Sequence, residues 1–422
     1  MKVVVVGGGG REHAIVKKLR ENPSVTELFA LPGNGGIAAD AACVPIGATD
    51  LDGIVSFAVE NGIDYAVVTP DDPLVLGLVD RLTERGVPCF GPNKAAACIE
   101  GSKAYAKALM QKYGIPTAAF ATFSDPDAAL SYAETAPLPL VVKADGLALG
   151  KGVVIAKTRQ EAKDAIRAAM IDGRFGKSGS TVVIEEFLTG PEVSVLAFTD
   201  GETLVPMKSA MDHKRAFDGD LGPNTGGMGT IAPNPFYTEE IEKTCMETIF
   251  LPTIRALKAE GRPFSGCLYF GLMLTEAGPK VIEYNCRFGD PETQVVLALL
   301  KSDLLTVMQA TTFGRLDRVS VEFSDEAAAC VVLASKGYPA AYETGYPIEM
   351  SERASEHVLF AGARQRAGGL CTSGGRVLGA VGTGRTLREA IDTAYRYAGE
   401  VSFENAFYRK DIGRLALRAA EE

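Results

Sequence analysis

The sequence lacks any apolar run long enough to cross a bilayer. Its longest, Ala327 to Ala334, falls far short of the roughly 18 residues a spanning helix needs. The amino terminus, Met1-Lys2-Val3-Val4-Val5-Val6, turns to glycine after its valines, too early for the roughly 7–15-residue apolar core of a signal peptide. There is no C-x-x-C: the 8 cysteines are scattered, Cys89 and Cys98 being the closest pair, so neither structural zinc nor a disulfide scaffold is expected. There is no basic tract either. Lys and Arg number 43 against 53 Asp and Glu, a net charge of −10, which argues against a duplex nucleic-acid partner. It does not argue against a phosphate-bearing small molecule, which local lysines and glycines can hold inside an acidic protein. His13, His213 and His357 have no metal-ligand spacing. No G-x-S-x-G supports a Ser–His–Asp enzyme, and no fixed-period repeat or low-complexity tract occurs. What remains is a chain of 422 residues, 46% apolar and 23% charged. That is the profile of a reduced, cytoplasmic enzyme of several domains, at roughly 150 residues per domain.

The first hundred residues alternate short apolar runs with helical stretches. Val3 to Val6, Tyr65 to Val68 and Val87 to Phe90 read as strands, each ending in Gly or Pro. Such alternation predicts a doubly wound parallel sheet, with ligands at the carboxyl ends of its strands. Ser102 can cap a helix to Tyr113, with Gly114 and Pro116 as its stop, and a domain boundary follows. Beyond it lie strands at Leu140 to Lys143, Val153 to Ala156 and Thr181 to Phe187, and a capping box at Thr158-Arg159-Gln160-Glu161. A long helix is expected after Thr238, and strands at Lys280 to Asn285, Ala327 to Leu333 and Val377 to Val381, with a second capping box at Thr386 to Glu389.

Several segments carry chemistry. Gly7-Gly8-Gly9-Gly10-Arg11-Glu12-His13 follows the first strand and opens a helix, where a phosphate can lie on free N–H groups. The G-x-G-x-x-G spacing fails, so a dinucleotide is disfavoured; the segment is either a phosphate loop or a tight strand–helix turn. Lys143-Ala144-Asp145-Gly146-Leu147-Ala148-Leu149-Gly150-Lys151-Gly152 lies between two strands. Its lysines and glycines suit a polyphosphate, the alternative being a plain hairpin; the Walker A spacing is absent. Glu185-Glu186-Phe187-Leu188 ends a strand, with Glu192 close behind. A strand end can meet a purine edge, and a carboxylate the ribose hydroxyls, although charged strand ends are usually only solvated. In Val281-Ile282-Glu283-Tyr284-Asn285-Cys286-Arg287, Glu283 and Asn285 share a face by the two-residue alternation. Their oxygens suit Mg²⁺ held partly by phosphates; the alternative is a solvated polar face. Asp212-His213-Lys214-Arg215 and the segment Gly222 to Gly229 could hold an acyl phosphate or a substrate phosphate, while His213 alone more often reads as structural.

Together these segments resemble the ATP-grasp superfamily. Three of them narrow the resemblance to the phosphoribosylamine–glycine ligase family of purine biosynthesis: Gly8 to Ala14; Asp212 to Gly229, with its Gly-Pro-Asn-Thr-Gly-Gly-Met-Gly; and Arg287-Phe288-Gly289-Asp290-Pro291-Glu292-Thr293-Gln294. The match runs the length of the chain, through Tyr408-Arg409-Lys410-Asp411-Ile412-Gly413. The resemblance implies a multi-domain α/β and α+β protein. Its parts would be a parallel-sheet N-terminal domain (1–119), an ATP-grasp lid (120–187), an ATP-grasp clamp and metal domain (188–323) and a mixed α+β C-terminal domain (324–422). It implies ligation of glycine to 5-phosphoribosylamine with ATP and Mg²⁺ or Mn²⁺, by a cytoplasmic monomer or weak dimer with no nucleic-acid or membrane partner. Lys103, Lys143, Gly150 and Lys151 would meet phosphates, Glu185, Glu186, Phe187 and Leu188 adenine, and Glu192 ribose. Glu283 and Asn285 would bind the metal and Arg287 steady the acyl phosphate. Asp212, Lys214, Asp290 and Glu292 would border glycine and phosphoribosylamine, joined by Gly9, Gly10, Arg11, Asn224, Gly226 and Gly227. One departure stands out: relatives often carry a third metal ligand about twelve residues before Glu283, where this chain has Gly271-Leu272-Met273. A different ATP-grasp ligase or carboxylase, a non-catalytic nucleotide-binding regulator and an NAD oxidoreductase are the competing readings.

Overall fold

The computed structural model describes residues 1–147 and 152–421. The N-terminal domain is a five-stranded parallel sheet with Lys2–Gly7 at its centre. Glu27–Pro32 and Ala42–Cys43 lie on one side and Tyr65–Val68 and Cys89–Phe90 on the other. Val3 to Val6 are buried on both faces, as a parallel sheet covered by helices on both sides requires. The order reverses between the two strands that end at Gly7 and Val68, and such a reversal opens a crevice above the sheet.

The helix Lys103–Tyr113 forms where its stop signals place it. Ser102 accepts a hydrogen bond from the Tyr105 N–H, and Gly114 ends the helix at φ 68°. Next comes a four-stranded antiparallel sheet ordered Phe120–Phe123, Val182–Glu186, Leu140–Ala144, Val153–Ala156. The helices Pro126–Thr135 and Arg159–Met170 back it, and its core is mostly alanine, valine and isoleucine. The Thr158–Glu161 capping box is present, a feature typically worth about 1 kcal/mol.

A second antiparallel sheet runs Leu204–Pro206, Glu192–Thr199, Gly266–Thr275, Gly278–Asn285. Its register slips between Gly271 and Leu272, leaving Ile282 without a cross-strand partner. The helical run after Thr238 contains a π turn at Met246–Phe250 just before Pro252, where a regular α-turn would set the proline ring against the carbonyl four residues back.

The C-terminal sheet is built on Ala327–Ser335, flanked by Arg376–Gly384 and Gly229–Ala232. Met211–Asp212, Val358–Phe360 and Ala406–Phe407 complete it. Two of its strands, 211–212 and 229–232, thus come from the segment expected to form the clamp. The glycine-rich stretch between them is a hairpin, Arg215–Phe217 against Leu221–Asn224.

Candidate active site

The sheet of strands 120–123 to 182–186, the sheet of strands 192–199 to 278–285 and the C-terminal sheet meet around one cleft of about 1120 Å³. The strand end Glu283–Asn285, the helix start at Lys103, the strand end at Lys143 and the segment Asp212–Arg215 all open onto it. Lys214 stands 3.4 Å from both Glu283 and Glu192. Led by Lys214, and helped by Lys143, Lys103 and Arg287, this positive surrounding holds the Glu283 carboxyl down to about 2. Glu283 is therefore ionised at any physiological pH. Asn285 lies on the same wall and takes a long hydrogen bond, 3.4 Å, from Arg287. Arg287 pairs with buried Glu100 at 3.0 Å, and Glu100 also accepts the Cys286 N–H at 2.7 Å.

Glu185 is buried between two lysines, Lys107 at 3.0 Å and Lys143 at 2.9 Å. Lys143 also donates a hydrogen bond to the carbonyl of the bulged Ile282, at 2.9 Å. Burial lowers the Lys107 ammonium to about 8, and it donates to Thr117 at 2.7 Å. Glu186 turns outward instead, to the Ala119 N–H and to Lys280, both at 3.0 Å. Phe187 and Leu188 line the cleft beyond it. Lys103 donates to the Gly146 carbonyl at 2.9 Å, which ties the helix start to the glycine loop. Gly150 and Lys151 lie outside the described residues.

On the other side, Glu292 accepts from Ser194 and Tyr269, each at 3.1 Å. Asp212 has a buried oxygen with no hydrogen-bond partner, and burial together with Glu292 raises its carboxyl well above the usual range. Burial works to raise Asp290 too, but Arg376 and Arg11 hold it low. Asn224 and Gly226 line the cleft, whereas Gly227 sits behind the wall. At Gly227, with φ 110°, a Cβ would come within 2.6 Å of the Asp212 carboxylate.

The N-terminal glycine segment departs from expectation. The Gly9 N–H donates to Glu12 at 2.6 Å, so that amide is taken by a carboxylate and is not free for phosphate. Gly10 packs against Gln294, and neither Gly9 nor Gly10 lines the cleft. This geometry is that of the tight turn. Arg11 alone of the three reaches the cleft, bonded to Glu12 and to the Phe288 carbonyl.

His213 is structural: its ring meets the Gly229 carbonyl at 3.1 Å and accepts the Gly413 N–H at 3.0 Å. Burial pushes its pKa down to about 4. The unfolded chain takes up that proton near pH 6.5, so the stability this ring contributes is present above about pH 6.5 and is lost as pH falls toward 4. Denaturant midpoints are expected to drop between pH 7 and pH 5, with a shallower slope in His213→Gln; an unchanged slope would exclude His213 as a cause. Lys107, Glu100 and Arg376 carry much of the site's charge pairing and were missed by the sequence reading. Each meets its partner only through tertiary structure.

Gly271, in the stretch where the resemblance implies a third metal ligand, faces Glu283 across the sheet. A Cβ there would lie 2.8 Å from Glu283 Cγ. Among the described residues no cluster of three or more His, Cys, Asp or Glu is placed to hold a metal. Glu283 and Asn285 still fit Mg²⁺, which binds through one or two protein oxygens and takes the rest from phosphates and water.

Residues 1–100, 101–293 and 328–415 match the N, ATP-grasp (A) and C domains of phosphoribosylglycinamide synthetase. The chain is 48% identical over 413 residues to the phosphoribosylamine–glycine ligase of Caldanaerobacter subterraneus subsp. tengcongensis, covering 98% of this chain and 99% of that one. It is 47% identical over 419 residues to that of Rhizobium meliloti, covering 99% of each. The crystal structure of phosphoribosylamine–glycine ligase from Thermotoga maritima superposes with a TM-score of 0.87 at 36% identity, over 98% of this chain and 100% of that one. The chain therefore belongs to the phosphoribosylamine–glycine ligase family, the ATP-dependent ligases that join glycine to phosphoribosylamine in purine biosynthesis.

Proposed function

We propose that this cleft is where the ligation takes place, with the site residues in the following roles. The supporting observation is an ionised carboxylate, Glu283, ringed by Lys103, Lys143, Lys214 and Arg287. The reaction must bring a carboxylate up to a polyphosphate, and fixed cations remove most of that repulsion at no cost in reorganisation. The glycine carboxylate oxygen attacks the γ-phosphorus of ATP, forming glycyl phosphate and releasing ADP. The amine of 5-phosphoribosylamine then attacks the acyl carbon; the C–O bond breaks, phosphate leaves and the amine gives up a proton, leaving glycinamide ribonucleotide.

Lys103 and Lys143 bind the phosphates, with Gly150 and Lys151 from the loop between the lid strands. The strand end Glu185 to Leu188 takes adenine, and Glu192 takes ribose once Lys214 yields it. Arg287 steadies the acyl phosphate. Asp212, Lys214, Asp290 and Glu292 surround glycine and the ribosylamine, with Asn224, Gly226 and Arg11 at the rim. Glu283 and Asn285 would hold Mg²⁺, or Mn²⁺, which would draw charge from the phosphate oxygens. Division at 119, 187 and 323 would give a substrate-phosphate part that also lends Lys103, a lid, a clamp and metal part, and a C-terminal part whose sheet takes in strands 211–212 and 229–232. A cytoplasmic monomer or weak dimer is the working form. Among the described residues no helix is long and apolar enough to cross a membrane. The lid keeps water from the glycyl phosphate.

The test is ADP release. It is expected to require glycine and phosphoribosylamine jointly and to stop when a chelator removes divalent ions. ADP formation with bicarbonate or formate in place of glycine would overturn the glycine assignment.

A further inference from the structure

Arg376 comes from the C-terminal domain, at the start of the strand Arg376–Gly384, yet its guanidinium ends in the cleft. One nitrogen donates to the Gly226 carbonyl at 2.7 Å, to the Asp290 carbonyl at 3.0 Å and, more weakly, to the Gly227 carbonyl at 3.5 Å. The other lies 3.1 Å from the Asp290 carboxylate. It therefore joins two segments far apart in sequence: the Gly222–Gly229 stretch, which carries Asn224 and backs Asp212, and the Arg287–Glu292 stretch, which carries Asp290 and Glu292. The side chains of both partners are mostly buried, 21% and 17% exposed. A planar fork holds carbonyls and a carboxylate in one fixed geometry, which a freely rotating ammonium on a flexible stem does not. The fit is close on the far side too, since a Cβ at Gly226 would lie 3.1 Å from the Arg376 guanidinium carbon.

We propose that Arg376 is a positioning residue for the two non-nucleotide substrates, setting the gap between the segments that border glycine and phosphoribosylamine. This rests on the ligase reading above. The adenine and phosphate contacts assigned to Lys103, Lys143 and Glu185 to Leu188 lie on other elements, so the effect is confined to one half of the reaction. Removing the guanidinium frees both segments and leaves the Asp290 carboxylate without its C-terminal partner.

The experiment compares the wild-type enzyme with Arg376→Met, Arg376→Lys and Gly226→Ala, measuring KM for each of the three substrates along with kcat and thermal midpoint. For Arg376→Met, KM for glycine and for phosphoribosylamine is expected to rise about tenfold or more, with KM for ATP within about twofold. Arg376→Lys is expected to fall between Met and the wild type, and Gly226→Ala to shift the same two constants. Equal rises in all three constants, or a lowered midpoint with every KM unchanged, would overturn the proposal. A wild-type enzyme that makes no glycinamide ribonucleotide would instead sink the ligase reading on which it stands.

Discussion

Glu283→Ala is expected to lower ligation at least about a thousandfold while leaving the fold intact. The reasons lie in what surrounds the side chain. Four cations are balanced in part by this carboxylate, and Lys214 is the nearest at 3.4 Å. Without it the metal keeps only the Asn285 amide, and the cations are left to compete for the phosphates without a fixed counter-charge. The fold has little reason to respond: the side chain is 37% exposed, and Lys214 keeps Glu192. Turnover with saturating MgATP, set beside a thermal melt, separates the two effects. Activity within a few-fold of the parent would remove Glu283 from the site. Glu283→Gln sharpens the reading, since it keeps an oxygen ligand and loses only the charge.

Arg287→Ala is expected to abolish ligation too, and here the fold suffers as well. Arg287 is the partner of Glu100, whose side chain is 6% exposed. Removing one member of such a pair strands the other, typically at about 3–5 kcal/mol. Glu100 also accepts the Cys286 N–H, so the disturbance reaches the end of the strand that carries Glu283 and Asn285. Denaturant midpoint and turnover should both fall. Adding Glu100→Gln removes the stranded charge; the midpoint should then recover while turnover does not. An Arg287→Ala protein as stable and active as the parent would refute both halves of the argument.

Much of the architecture was legible because it is local. Val3 to Val6 declare a central strand, Ser102 and Gly114 bracket a helix, and the alternation of Glu283 and Asn285 does place both on the cleft. The ion pairs were not legible in the same way. Lys107 and Glu185, Glu100 and Arg287, and Arg376 and Asp290 are each far apart in the chain, and a lone lysine or arginine in an amphipathic stretch looks solvated. The N-terminal turn is different, for its sign was present: Glu12 follows Gly9 by the three residues of a capping interaction, which already spoke for the amide. The short strands Met211–Asp212 and Gly229–Ala232 have no period to read; Gly229–Ala232 takes the edge that Ala327–Ser335 offers, and Met211–Asp212 pairs outside it.

That last pairing bears on how the chain can be divided. The strand Ala327–Ser335 stands between a neighbour from the middle of the chain and one from its end. A gene cut at residue 323 would strip the shorter product of two strands and leave the longer one with those strands paired only to each other. Shuffling segments between relatives at that point would exchange half a sheet at a time.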